Sequence, residues 1–181
     1  ISFVDKADIL LTKLIIRGGI SMKKLTAIFT MLLVCFVVSI CQASAIDECA
    51  LGGITMGVSK DAVRNIYGEP TKKKLKGVEE WIYGDSFSIK FSEGYVTSIT
   101  TDENNGIKMP AGFTVGSDAK GLVKYFGQNY GLEPKRYSGD DMDYISYVVF
   151  RPDQSGIILR VGYDYDNDKI CFINMYATGI S

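Results

Sequence analysis

Two spacings in this chain are capable of chemistry, and each has a plainer explanation. Ser117-Asp118-Ala119-Lys120 has the Ser-x-x-Lys spacing in which a lysine amine can take the proton of a nucleophilic serine. The Ser-Asp-Asn and Lys-Thr-Gly elements that accompany this spacing in penicillin-recognising enzymes do not occur in the sequence. Ser117 is therefore expected to cap a helix, its hydroxyl accepting an otherwise unpaired backbone N–H. Asp164-Tyr165-Asp166-Asn167-Asp168 opens like a calcium loop, with oxygen ligands at alternate positions. Lys169 then stands where such a loop needs its glycine, and Met175 where it needs the bidentate glutamate. A hairpin turn rich in Asp and Asn explains the stretch as well. Histidine, the commonest general base and metal ligand, is absent. No glycine pattern fits a phosphate loop. The expectation is a non-enzymatic protein without metal or cofactor.

The remaining candidates are binding residues. Lys72-Lys73-Lys74, with Lys76 close behind, reads as a solvated loop. Its functional alternative is a contact for an anionic membrane surface or envelope polymer. Tyrosines crowd the second half, and clusters of tyrosine suit protein interfaces because a large rigid ring carries a polar tip. Tyr147, Tyr163 and Tyr165 are expected to line the core. Tyr137 and Tyr144 flank Asp140, Asp141 and Asp143, and the first four of these five positions (Tyr137, Tyr144, Asp140 and Asp141) are the candidate partner contacts, with the acidic turn as a solvated alternative.

The front of the chain carries an address. Met22 opens an expected secretory signal over 22–45: Lys23-Lys24, an apolar run from Leu25 to Ile40, and Ala43-Ser44-Ala45 as the cleavage site. Residues 1–21 are expected to be upstream sequence outside the translated protein, since the codons of Arg17-Gly18-Gly19 can spell a ribosome-binding site before Met22. Ile40 before Cys41 and Val34 before Cys35 are poor contexts for lipid attachment, so membrane contact is possible but a lipid anchor is not expected. Cleavage near Ala45 leaves an exported chain in the periplasm, envelope or medium. It carries fifteen basic against nineteen acidic residues, a balance that argues against nucleic acid. Cys49 and Cys171 remain, and in an oxidising compartment they are expected to form one disulfide, with two buried free thiols as the alternative.

These residues need elements to hold them, and the sequence repeats its elements. Gly53 to Gly68 returns as Gly112 to Gly127, with Gly57 matched by Gly116. A recurring stretch of this kind points to a duplicated unit. Ser59 is placed to cap a helix over Lys60 to Tyr67, with Ala62, Val63, Ile66 and Tyr67 on its buried face and Gly68 ending it. In the second copy the buried face is Leu122, Val123, Tyr125 and Phe126, and Gly127 is the stop. Ser86 to Ser92 alternates strictly, placing Phe87, Ile89 and Phe91 on one face of a strand. Further strands are expected at Glu79–Tyr83, Tyr95–Thr100, Tyr144–Phe150, Ile157–Tyr165 and Lys169–Tyr176. The fold class expected is α+β. It comprises two tandem repeats, 46–104 and 105–181, each a short helix packed on one face of an antiparallel three- to four-stranded sheet.

The pattern Gly57-x-Ser59-x-x-x-Val63-x-x-x-Tyr67-Gly68-x-Pro70, followed by a Trp/Tyr strand and an alternating hairpin, resembles the SmpA/OmlA (BamE-like) domain. In its tandem arrangement, over nearly all of Leu51 to Ala177, the chain is similar to the β-lactamase inhibitor proteins. The resemblance implies helices on one face of an antiparallel sheet and a non-enzymatic role in binding other proteins, in envelope assembly or in inhibiting a secreted enzyme. The alternative from a different class is an envelope protein that binds a small ligand or an anionic polymer.

Overall fold

The structure is a computed structural model that describes residues 44–139, 142–151, 155–164 and 166–178. The upstream segment 1–21 and nearly all of the signal segment 22–45 lie outside the described residues, as do Asp140, Asp141 and Tyr165.

Ser44 caps a 3-10 turn over Ala45–Glu48, which leads into a short hairpin of β1 (Ala50–Leu51) and β2 (Ile54–Thr55). Its turn needs glycine: Gly52 has φ 61°, and a Cβ there would stand 2.2 Å from the Tyr67 hydroxyl, which donates to the Gly52 carbonyl. Helix α1 (Lys60–Tyr67) is capped by Ser59, whose hydroxyl accepts from the Ala62 N–H, and ends at Gly68 with φ 74°. Eight residues do not hold a helix alone in water. Val63 is fully buried, and Arg64 lies 5.1 Å over the Trp81 ring. Lys60 pairs with Glu79, the same carboxylate that accepts from the Trp81 indole at 2.8 Å, and this ammonium holds the Glu79 carboxyl below the usual range. Ile66, expected on the buried face, is instead 57% exposed.

Strands β3 (Lys72–Lys74), β4 (Glu79–Tyr83), β5 (Phe87–Ser92) and β6 (Tyr95–Thr101) follow as an antiparallel meander. Phe87, Ile89 and Phe91 point into the core. The three lysines expected in a loop are therefore an edge strand. Helix α2 (Ala119–Tyr130) comes next. Its cap is Asp118, which accepts from the Gly121 N–H at 2.8 Å, while Ser117 accepts from the Thr114 N–H. Gly127 does not stop the helix: it runs to Tyr130 and closes on Gly131 in the left-handed region. The added turn sets Tyr130 against Phe126 and brings its hydroxyl to Glu48, contacts that offset the roughly 1 kcal/mol an interior glycine costs relative to alanine. Strands β7 (Lys135–Ser138), β8 (Asp143–Phe150), β9 (Gly156–Tyr163) and β10 (Ile170–Thr178) form a second meander.

The two meanders are not two sheets. β6 pairs with β10, giving a single antiparallel sheet of eight strands in the order β3-β4-β5-β6-β10-β9-β8-β7, beside the two-stranded β1–β2. The expectation of two tandem repeats, each a helix on its own sheet, is thus overturned. The described residues are mostly antiparallel sheet with two α-helices, and one hydrophobic cluster runs from Trp81 and Ile89 through Ile99 and Met175 to Tyr147. Each meander alone would leave its last strand as an exposed row of unpaired N–H and C=O groups. Joining the two rows satisfies both and buries Ile99 against Met175, each 0% exposed.

The recurring sequence stretch does perform the same backbone task in each half. Gly57 N–H donates to Val96 and Lys60 N–H to Gly94; Gly116 N–H donates to Ile170 and Ala119 N–H to Asp168. In both places the residues ahead of a helix are tied to the hairpin that enters β6 or β10.

A candidate protein-binding face

Alternation along the strands gives the large sheet two faces. One is covered by α1, α2 and the β1–β2 hairpin and carries the core. The other carries Ser88, Ser98, Thr100 and Asn174 at its centre, where the Asn174 amide donates to Thr100 Oγ1 at 2.7 Å and to Ser98 Oγ at 3.2 Å. This polar centre gives way to an aromatic half on β7 to β10.

Tyr137 on β7 stands opposite Tyr144 on β8, and their rings stack at 4.8 Å with 12° between planes. On β9 the Arg160 guanidinium lies 5.0 Å over the Tyr144 ring and 5.6 Å from the Tyr176 ring on β10, and donates to the Tyr176 hydroxyl at 3.2 Å. Four strands thus contribute one continuous row, Tyr137-Tyr144-Arg160-Tyr176. Beside it Phe172 covers Gly162, where a Cβ would meet the ring at 2.1 Å, so the glycine leaves room for the aromatic side chain. Toward the far end of β8 the same face presents Val148, 39% exposed, and Phe150, 68% exposed. Each ring contact is worth about 0.5–1.5 kcal/mol beyond area burial, and each cation–π contact about 0.5–2 kcal/mol. The row is therefore held in place before anything binds it. An arginine between two aromatic rings presents apolar surface together with hydrogen-bond donors, the chemistry enriched where protein interfaces bind tightly.

Of the candidates named from sequence, Tyr137 and Tyr144 lie together on this face. Lys72, Lys73 and Lys74 lie on the opposite edge of the sheet, seven strands away in the order. Lys73 pairs with Glu69 at 2.7 Å and sits over Trp81, and Lys74 pairs with Glu80 at 2.9 Å, which leaves Lys72 as the one of the three without an ion pair among the described residues. Asp143 lies on the core side, its carboxylate accepting from the Tyr163 hydroxyl at 3.4 Å. Cys49 and Cys171 do not form the expected disulfide; both are free thiols. Cys49 belongs to the core on the helix side, where burial pushes its thiol up to about 12, whereas Cys171 sits at an irregularity of β10 outside that core. The opening of the calcium-like spacing is a closed turn: Asp164 accepts from the Asp166 N–H and the Asn167 amide, and Asp168 pairs with Lys120.

Tyr176 belongs to the crowd of second-half tyrosines read as interface-suited, whereas sequence reasoning missed Arg160, Phe172 and Phe150. The available signal was the alternation of β9, where an arginine and a glycine occupy the side away from Ile157, Leu159 and Val161. It also missed Glu48, a buried carboxylate that accepts from the Tyr125 hydroxyl at 2.7 Å, the Tyr130 hydroxyl at 3.1 Å and the Ala111 N–H at 2.8 Å.

No protein-family model, curated protein or solved structure matches the chain, so none identifies the family that its helix motif resembles.

Proposed function

We propose that this chain is an exported, non-enzymatic module that binds a protein partner through the aromatic half of its open sheet face. The observation that carries this reading is the preorganised row Tyr137-Tyr144-Arg160-Tyr176, with Phe150 and Val148 exposed beside it. A solvated sheet face normally carries polar residues, and the central strands of this sheet do so. Aromatic rings and an arginine gathered on one half instead offer large contact area at low entropic cost. The lack of histidine and the plain structural roles of Ser117 and Asp164 support the non-enzymatic part. Export rests on the Met22 to Ala45 segment, and the role of the partner, in envelope assembly or as an inhibited enzyme, follows the resemblance alone.

Affinity capture from envelope extract with the wild-type chain, an Arg160→Glu variant and a Lys72/Lys73/Lys74→Gln triple variant tests the proposal. A partner held by wild type and by the lysine variant, but weakened in Arg160→Glu by about 2 kcal/mol or more, is the expected result. A partner lost with the lysines and kept with Arg160→Glu would instead favour an anionic-polymer binder acting through β3.

A further inference from the structure

On the covered side of the sheet, where α2 overhangs β7 to β9, a half-open cavity of about 220 Å³ remains. Its walls are apolar at Val123 and Ile145 and aromatic at Tyr163, while Lys120, Lys124 and Arg136 stand around it. Of the acidic groups nearby, Asp168 pairs with Lys120, and Asp143 accepts the Tyr163 hydroxyl on one oxygen while its other oxygen has no partner among the described residues. Lys124 and Arg136 form no ion pair with any described residue, and both stand exposed beside the apolar floor of the cavity. It is smaller than the roughly 300–1,000 Å³ of sites for drug-sized ligands, which restricts it to small molecules.

We propose that this cavity binds a small organic carboxylate, its anionic group between Lys124 and Arg136 and its apolar or aromatic group against Val123 and Tyr163. Planar guanidinium favours a carboxylate over a spherical anion, because two parallel N–H donors match its two oxygens. The apolar floor adds roughly 25 cal/mol for each Å² it removes from water, a contribution that inorganic anions cannot draw on. The ordinary role for such cations is to lay their aliphatic stems over the end of the core with the charges in water, and that role needs no ligand. The two are separable because stems alone do not discriminate the sign of a ligand's charge.

Amide NMR of the full chain titrated with benzoate, benzylammonium or inorganic phosphate reads the difference. Benzoate is expected to shift Val123, Lys124 and Ile145 saturably in the millimolar range. Benzylammonium, of similar size and opposite charge, leaves them unmoved, and phosphate binds more weakly. A Lys124→Gln/Arg136→Gln variant should weaken benzoate about tenfold or more, whereas Lys124→Arg/Arg136→Lys retains it. Both sites are at the surface, and an otherwise superimposable spectrum verifies the fold of each variant. Unsaturated shifts up to about 20 mM benzoate, equal binding of benzylammonium, or an unchanged affinity in the glutamine variant would each overturn the proposal. Phosphate binding as tight as benzoate would overturn its apolar half. The cavity lies on the face opposite Arg160, so failure here is distinguishable from failure of the protein-binding face.

Discussion

Glu48 ties the first turn of the described chain to the second helix, and its carboxylate satisfies three donors in a nearly closed site. Glu48→Ala should lower stability by about 1–3 kcal/mol in urea unfolding, because the Ala111 N–H and two phenols lose their acceptor. Glu48→Gln, which keeps one carbonyl oxygen, should cost less than Glu48→Ala. Cys49 sets a pH dependence. Burial first, then the neighbouring Glu48 charge, raises its thiol from 9.0 to about 12 in the folded chain. The unfolded chain therefore releases this proton near pH 9 while the folded chain keeps it. The associated stability is complete below pH 9 and is lost as pH climbs toward 12, by a few kcal/mol. Burial raises the Tyr147 hydroxyl from 10.0 to about 12, which adds a loss of the same sign beginning about one pH unit higher. Urea midpoints measured up the alkaline range should fall less steeply for Cys49→Ala than for wild type, and identical slopes would refute the assignment to this thiol.

At the scale of elements, the informative strands are the two edges. β3 reads Lys-Lys-Lys and β7 reads Lys-Arg-Tyr-Ser, so both free rows of backbone groups are bordered by cations. Charged edges keep sheets of separate molecules from pairing. Replacing Lys72, Lys73 and Lys74 by threonine should cost little in stability, since exposed ion pairs contribute about 0–1 kcal/mol each, yet promote concentration-dependent association visible in light scattering or sedimentation. A variant that stays monomeric at high concentration would remove this role. The lysines were legible as a solvated run, but their strand pairing was not: Lys73 is placed by Trp81 and Lys74 by Glu80, residues that only the β3–β4 register brings opposite. The cap of α2 was closer to hand. The shift of 59 that relates Gly57 to Gly116 also carries Ser59 to Asp118, whereas the type of Ser117 drew attention away from it.

For the whole molecule the decisive feature is the seam between β6 and β10. Trp81, the single tryptophan, lies in the first meander, and Met175 lies in the second. Met175→Ala should destabilise by about 2–5 kcal/mol and shift the Trp81 fluorescence transition together with the far-UV circular dichroism. Separate transitions for the two signals would show that the halves unfold independently. Periodicity in the sequence by itself determined most of the strands, the faces of Phe87-Ile89-Phe91 and of β9, and the recurrence of the pre-helix turn, because each is a local consequence of spacing and backbone preference. It did not determine that two meanders share one sheet, that Cys49 and Cys171 remain apart, or that Arg160 lies between Tyr144 and Tyr176. Those are contacts between distant strands, decided by which unpaired edges meet and which side chains the register then sets side by side; no interval along the chain encodes them.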